Sequence, residues 1–514
     1  VYQNVGVKAV DLKQGRIEIF NKNYFEPLKG YQIVWSLYKD GVCVEKNKPL
    51  MGAKNILGPR ERQQYVLDYN YNQLDPASEY FVKVQFMQGK DMPWAKKGYV
   101  QMEEQLRVKG ADVKAPAMKQ VAAKQPVNMT KTKDKVNVKG QGYDIDIDLH
   151  TGAISHLVYG GTEVITEGNG PKLDAFRAPT DNDAGIGYHN EWFKNGLYDL
   201  QHKVIGTPSI VKGKNGITQI SLTIESQGRE GCQQVYTDHD RNPETVYTFD
   251  KGKHALGADD FKFTTNQIYT IYPDGSVELQ SAISANRSNV VLPRIGYAMK
   301  LPKEFNQFQY YGRGPVNNYA DRKTGQFIEQ YQGEVGKQDI ILPKPQSMGN
   351  REEVRWCALS NGQGTSVAFV ADSVMSASAL PWSQQQLTTA AHIYQLPASD
   401  GTYLHLDAKV TGLGGASCGQ GGPFIEDQAR STNYNFGFVI RPVTAGQTVA
   451  EAAKVSLSGE QPISIEHSRT GVVTLSSPAK GRTIMYALNG SKKAVAYTAP
   501  INMRAGGTIS TWYK

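Results

Sequence analysis

Cysteine is scarce, and its placement is uninformative for metal or redox chemistry. Cys43, Cys232, Cys357 and Cys418 stand far apart with no CxxC pair, so neither a zinc site nor a disulfide framework is signalled. Cys357 sits in the apolar run VRWCAL and reads as a core thiol. No apolar run reaches membrane-spanning length, so no helical membrane span is expected. No signal peptide opens the chain either. Since Val1-Tyr2-Gln3 begins without Met, a fragment or processed chain is expected, and the compartment stays open with a periplasmic or secreted one favoured. No solenoid or propeller period recurs, and no strand–helix alternation promises a (βα)8 barrel. The charge excess is small for the size, 57 Lys and Arg against 49 Asp and Glu, a net +8. Basic residues scatter, apart from a Lys-rich segment near 109–139. With no basic stripe interleaved with aromatics on a recognisable module, a nucleic-acid partner is excluded.

What is present is strand. At 514 residues the chain is too long for one core and should hold about three or four domains. Fifty-one Gly and 24 Pro suit many short strands separated by turns. In residues 1–108, RIEIFNKNYF, YQIVWSLYKDG and EYFVKVQFMQG alternate apolar and polar positions, with Lys39-Asp40-Gly41 as a hairpin turn; the spacing suits an immunoglobulin-like β-sandwich. Residues 109–130 lose periodicity, gain Lys, Ala and Pro, and read as a linker. Residues 131–456 are again strand-rich, with Pro273-Asp274-Gly275 a hairpin signal, and lack convincing helices; they predict a large two-sheet sandwich. In YDIDIDL (143–149) strict alternation puts Asp144, Asp146 and Asp148 on one solvated face. A calcium loop would want Gly at a turn instead, so no metal site is expected there. Residues 457–514 form a separate small β-sandwich with a turn at Asn489-Gly490-Ser491. The fold class is therefore all-β throughout.

Two stretches hold functional interest. DAFRAPTDNDAGIG (174–187) reads as an ordered loop, with Arg177 close enough to Asp181, Asn182 and Asp183 for charge-assisted hydrogen bonds that order it. Gly185 and Gly187 supply backbone freedom for a close approach. His189, a lone loop histidine, is more readily solvated than ligand-binding. GLGGASCGQGG (412–422) is Gly-rich but lacks the Lys-Ser/Thr and following helix of a phosphate cradle. Asp238-His239-Asp240 reads as a solvated turn, not a metal site.

Arg-Ala-Pro-x-Asp-Asn-Asp (177–183), YYGRGPVNNYADRK (310–323), LPKPQSMGNREEVRW (342–356), WSQQQLTTAAH (382–392) and LHLDAKVTGLGG (404–415) occur in order. Together they closely resemble the small-chain domain of family 2 glycoside hydrolases of the β-galactosidase type. In the first domain VYQNV, Asn21, Tyr24-Phe25, Trp35, Pro93-Trp94-Ala95 and Glu104-Gln105 resemble the sandwich that follows that family's catalytic barrel. Tyr486, Asn489, Tyr497 and Pro500 are similar to the small sandwich appended to chitobiases, where exposed Tyr or Trp512 could hold carbohydrate.

The resemblance implies that 131–456 is the galactose-mutarotase-like supersandwich and that the chain is the non-catalytic C-terminal region of a β-galactosidase-like hydrolase. It places no catalytic residue here: the paired Glu residues of retaining hydrolysis, and the metal ions beside them, belong to the barrel, so no cofactor is expected in this chain. It implies that Gly185, Ile186, Gly187, Tyr188, His189 and Asn190, with Cys418 and Gly419, border the sugar site of the intact enzyme. Partners would be a β-galactoside, the N-terminal catalytic domains and a second copy in a homo-oligomer. The sequence departs from the family at Gly419, where a sugar-stacking Trp is usual, so the aromatic platform is either missing or supplied by another residue such as Phe424, and at Asn317, where Glu is usual. The alternatives are a carbohydrate-binding protein or a stand-alone mutarotase, which needs a His acid opposite a carboxylate. Of His150, His156, His189, His202, His239, His254, His392 and His405, none stands in the mutarotase sequence context.

Overall fold

The computed structural model describes residues 2–50, 57–110, 127–213, 216–229, 232–237, 244–249, 257, 259–339, 341–416, 419, 421–454, 464–468, 470–476, 483–491 and 493–513. The first domain contains β1 (Val5–Asp11), β2 (Arg16–Asn21), β3 (Tyr31–Lys39), β4 (Val42–Pro49), β5 (Arg62–Val66), β6 (Tyr80–Gln88) and β7 (Val100–Lys109). They form sheets ordered β1-β2-β5 and β4-β3-β6-β7, which face each other as an immunoglobulin-like sandwich. Alternation carries the fold: Ile17 and Ile19 of β2 point inward, toward Trp35 of β3 and Val82 and Val84 of β6. Asp40 (φ 48°) and Gly41 (φ 80°) make the two-residue turn between β3 and β4, where both central residues need positive φ.

The large domain opens with a meander of β8 (Asn128–Lys131), β9 (Lys135–Gly140), β10 (Tyr143–Asp148), β11 (Ile154–Tyr159) and β12 (Thr162–Ile165). Its partner layer is a twelve-stranded sheet. That sheet comprises β13 (Lys172–Asp174), β14 (Gln201–Lys212), β15 (Thr218–Gln227), β16 (Lys262–Ile271), β17 (Val277–Ala285), β18 (Arg294–Leu301), β19 (Gln307–Gly314), β20 (Phe327–Glu334), β21 (Arg351–Ser360), β22 (Ser366–Leu380), β23 (Thr402–Val410) and β24 (Tyr434–Pro442). The order is β13-β18-β23-β22-β24-β17-β16-β15-β14, with β20-β19-β21 branching from β22. One core joins both layers: Val136, Ile145 and Leu157 of the meander pack with Ile220, Tyr269, Phe438 and Leu404 of the large sheet.

Alternation in β10 puts Ile145 and Ile147 in this core, but the acidic face is not simply solvated. Asn137 Nδ2 donates to Asp144 Oδ1 at 2.6 Å and Asp146 Oδ1 at 2.7 Å. Lys135 and Lys139 on β9 reach Asp146 and Asp144, each at 2.7 Å. Cross-strand register places Lys139 directly opposite Asp144 and Asn137 opposite Asp146, with Lys135 reaching Asp146 diagonally, and Asp146 becomes buried. Asp144 and Asp146 on this face thus each have a cationic partner.

The C-terminal part pairs Ser464–His467, Val472–Ser476 and Ile501–Asn502 in one sheet and Ile484–Leu488, Val495–Ala496 and Ile509–Tyr513 in another. Trp512 is 41 % exposed, which leaves its ring available at the surface.

The sandwich and the large domain meet through charges held between apolar groups. Glu79, buried at the start of β6, accepts from Arg355 Nε and Nη2 at 2.9 Å each and from the Tyr311 hydroxyl at 2.6 Å. Phe81, Tyr311, Trp356 and Val439 pack around them. Gly41 belongs to the same contact: a β-carbon there would lie 2.6 Å from the Tyr311 ring. Glu79→Ala would leave a guanidinium and a phenol without their acceptor, an expected cost of about 3 kcal/mol. Denaturant unfolding should show that loss, with the interface opening first. A midpoint within experimental error of the unsubstituted chain would remove Glu79 from this role.

Candidate functional site

Part of the polar stretch 174–187 turns out to be core: residues 175–178, Thr180 and Asp183 are buried, while Asp181, Ala184 and Gly185 are exposed. Arg177 is 0 % and Asp183 1 % exposed, and they pair through Nε–Oδ2 at 3.1 Å and Nη2–Oδ1 at 2.6 Å. Where an ordered loop was expected, Asp181–Gly185 forms a short helix, α1, and Tyr188–Lys194 a second, α2. The start of α1 was legible: Thr180 and Asp183 make a reciprocal capping box, with Asp183 Oδ2 accepting from Thr180 N at 2.9 Å. Asp183 thus serves the helix end and the arginine at once.

Arg177 reaches onward to the residues that follow β23. Nη1 donates to the Thr411 carbonyl, and Nη2 donates to the Gly412 carbonyl at 3.1 Å. Asn182 Nδ2 donates to the Gly414 carbonyl at 2.9 Å. Asp321, from the second motif, accepts from Leu413 N at 2.9 Å and Gly414 N at 2.7 Å. Gln346, from the third, accepts from Asp181 N at 3.2 Å. Gln384, at the first position of helix α3 (Gln384–Thr389) in the fourth, accepts from Ala178 N at 2.8 Å. Stretches far apart in sequence therefore meet around one guanidinium.

The two stretches of functional interest touch. Gly422 passes so close to the α1–α2 turn that a β-carbon there would be 2.8 Å from Ile186 Cδ1 and 2.9 Å from the Tyr188 hydroxyl. Gln428 Nε2 donates to that hydroxyl at 3.2 Å. Asn190 and Gly185 are exposed and Tyr188 half-buried. The positive φ belongs to Gly187 (77°), the N-cap of α2, and Gly185 has none; a β-carbon at 185 would meet only Ala416, at 3.4 Å. His189 also differs from expectation. It is 7 % exposed, edge-on to Phe193 and Tyr247, because the i, i+4 spacing on α2 turns it toward the aromatic cluster. Gly419 is exposed, with φ 83° and nothing within 4 Å of a β-carbon built on it. Cys418 lies outside the described residues, as does Asp238-His239-Asp240. Beside this turn Phe424 is 75 % exposed.

A family model described as beta galactosidase small chain matches residues 139–440, and one described as beta-galactosidase, domain 4, matches residues 17–109. The chain belongs to the β-galactosidase small-chain family. It is similar to a β-galactosidase of Priestia megaterium, 28 % identical over 80 % of this chain and 36 % of the relative. Another, from Lactobacillus delbrueckii subsp. bulgaricus, is 27 % identical over 79 % of this chain and 36 % of the relative. The chain thus spans little more than a third of the length of these curated relatives. A galactose 1-epimerase from Lactobacillus acidophilus NCFM overlays with a TM-score of 0.31 at 6 % identity, covering 62 % of this chain and 98 % of that one, too loosely to carry functional weight.

Membership in this family makes the departure at position 317 interpretable. Asn317 donates from its backbone and from Nδ2 to Asp339 Oδ1, both at 3.2 Å, and Asp339 is paired with buried Arg351 at 3.1 Å. A glutamate at 317 would set two carboxylates against each other; the amide donates instead. Among the described residues no group of three or more His, Cys, Asp or Glu side chains is arranged to hold a metal ion, and no helix is long and apolar enough to cross a membrane.

Sequence reading overlooked a second feature, a polar cavity beside Asp174 that His202 and His405 line. Nothing in local sequence unites these residues, which come from three separate strands. Burial pushes the His202 imidazole down to about 4, with the Lys172 cation acting in the same direction and the carboxylates of Asp174 and Asp199 against it. A ring neutral in the fold but titrating near pH 6.5 when unfolded gives stability that is complete above about pH 6.5 and lost as pH falls toward about 4. The expected loss between pH 7 and 4.5 is about 1–3 kcal/mol by urea unfolding, and His202→Gln should flatten that slope. An equally steep slope in the variant would assign the acid sensitivity elsewhere.

Asp183→Ala removes the carboxylate that pairs with the fully buried Arg177 guanidinium. The expected destabilisation is about 3–5 kcal/mol. Lower protease resistance of the 411–424 segment should accompany it. Normal stability with unchanged cleavage there would show that Arg177 is held by the carbonyls alone.

Proposed function

We propose that this chain is the non-catalytic C-terminal region of a β-galactosidase, and that the α1–α2 turn with the Gly-rich segment 412–424 completes the galactoside pocket of the whole enzyme. The observation carrying this reading is the Arg177 hub, which ties both segments to one rigid centre. The described residues held this way, Gly412, Leu413 and Gly414, can meet a ligand with little ordering cost at the moment of binding. Ile186 and Tyr188 supply an apolar edge and a hydroxyl, and exposed Phe424 supplies an aromatic face of the kind that the Gly at 419 cannot. His189 acts one step back, by packing with Phe193 of the same helix and holding α2 against Tyr247. Bond cleavage itself requires two carboxyl groups about 5–5.5 Å apart in a retaining glycosidase, and these are assigned to the catalytic barrel, together with any metal ion.

In the whole enzyme, Tyr188→Ala and Phe424→Ala should each raise KM for β-galactosides or shift acceptor preference by about 1–3 kcal/mol, roughly 5- to 150-fold, with kcat retained to a greater degree. The 514-residue chain alone should not turn over a nitrophenyl galactoside. Unaltered kinetics in both variants, with unaltered stability, would make the turn a structural buttress only; turnover by the pure chain would overturn the non-catalytic assignment.

A further inference from the structure

The large sheet curls until its two edge strands, β13 and β14, approach each other, and the seam between them holds a cavity of about 250 Å³. Lys172 and Asp174 of β13, His202 of β14, His405 of β23, Tyr198 and Gln384 line it. Pockets for drug-sized ligands run to about 300–1,000 Å³; this one suits a single small ring.

The chemistry of the lining selects among small ligands. Lys300 is matched by Asp400 at 2.7 Å, and Asp199 by Arg229 at 2.7 Å, so neither contributes an uncompensated charge. Lys172 and Asp174 remain, one of each sign. Burial holds both histidines toward the neutral form. A balanced lining favours a neutral polar molecule over a phosphate or carboxylate, which would want clustered cations.

Hydrogen-bonding capacity stands in reserve here. Gln384 is 3 % exposed; its Oε1 is used by Ala178 N, while its Nε2 has no partner among the described residues. A buried donor left unpaired costs about 1–3 kcal/mol, which a ligand acceptor would recover. Among the described residues the Asp174 carboxylate has only long contacts, 3.5 Å from Phe176 N and 3.4 Å from His405 Nδ1. Lys172 Nζ donates to the Gly168 carbonyl at 2.9 Å and has further protons to give. An amide, a carboxylate and an ammonium in a ring-sized hollow match the alternating donors and acceptors of vicinal hydroxyl groups.

We propose that the seam cavity is a second carbohydrate site, taking one neutral pyranose whose hydroxyls accept from Gln384 and Lys172 and donate to Asp174. It is separate from the α1–α2 turn and does not depend on the function proposed for that turn.

The test is a titration of the full chain with D-galactose and D-glucose, against D-galacturonate and inorganic phosphate, by calorimetry and saturation-transfer NMR. A neutral sugar should bind saturably with one site in the seam and more tightly than either anion. Gln384→Glu keeps the acceptor for Ala178 N but removes the donor, and Asp174→Asn removes the carboxylate. Each should weaken binding about tenfold or more, with melting temperature checked in parallel. If Asp174→Asn fails to fold, Gln384→Glu and Lys172→Gln carry the test. Trp512→Ala, in the C-terminal part, should leave the affinity unchanged. The proposal is overturned by no saturable neutral-sugar binding, by preference for galacturonate or phosphate, by binding indifferent to the seam variants, or by binding lost in Trp512→Ala.

Discussion

The pairing of Arg177 with Asp183, in complete burial, is the constraint around which the large domain is arranged. An isolated ion pair in such a place gains little, because desolvation of both charges offsets their attraction. Here most of the remaining capacity is used, four hydrogen bonds leaving the guanidinium. The guanidinium also donates to the carbonyls of Thr411 and Gly412, and the carboxylate also caps α1 through Thr180. Each of these contacts brings in a segment that would otherwise be an independent loop. The indole of Trp192 lies 5.5 Å from the guanidinium carbon and closes the remaining side. A well-satisfied polar centre of this kind specifies one arrangement where an apolar centre would tolerate several.

From that centre the functional surfaces follow by short mechanical links. On one side the carbonyls after β23 hold the Gly-rich segment, whose Gly422 admits Ile186 and Tyr188 at contact distance. On the other side Ala178, next to Arg177, is held by the side chain of Gln384, which also lines the seam cavity. The two candidate sites are thus neighbours through one residue pair, yet they present different chemistry: an apolar, aromatic rim at the turn and a balanced polar lining at the seam. The first domain is attached by a third buried charge cluster at Glu79, again shared between several donors. Polar interactions set the geometry between elements, while the alternating apolar faces of the sandwiches supply the bulk of the burial.

Much of this was legible from residue order. Period-2 alternation in RIEIFN, YDIDID and YLHLDAKV marks strands, and all three are strands, although in YLHLDAKV both faces are buried at Leu404–Asp407. Asp40-Gly41 and Asp274-Gly275 mark the turns where the chain reverses. The helices α1, α2 and α3 were not expected: the capping boxes of Thr180 with Asp183 and Ser383 with Gln386 are local signals that a loop-like composition outweighed. Helix propensity is weak in a segment with two glycines, and burial of Trp192 and Phe193 of α2 among Phe176, Leu197, Tyr198 and Tyr247 stabilises that helix.

The sequence by itself determined that the chain is all-β, where its strands and turns lie, and which family it resembles, because alternation, turn chemistry and motif order are local properties. Tertiary structure alone decided which polar residues became core. Arg177 and Asp183 look like surface residues, and His189 like a loop contact, until the sheet closes over them. It alone brought Asp174, His202 and His405 to one cavity, since strand order in a curled sheet joins residues more than two hundred positions apart. Burial is a property of the assembled layers. No local pattern encodes it for a charged side chain, whose placement depends on whether distant partners arrive to satisfy it.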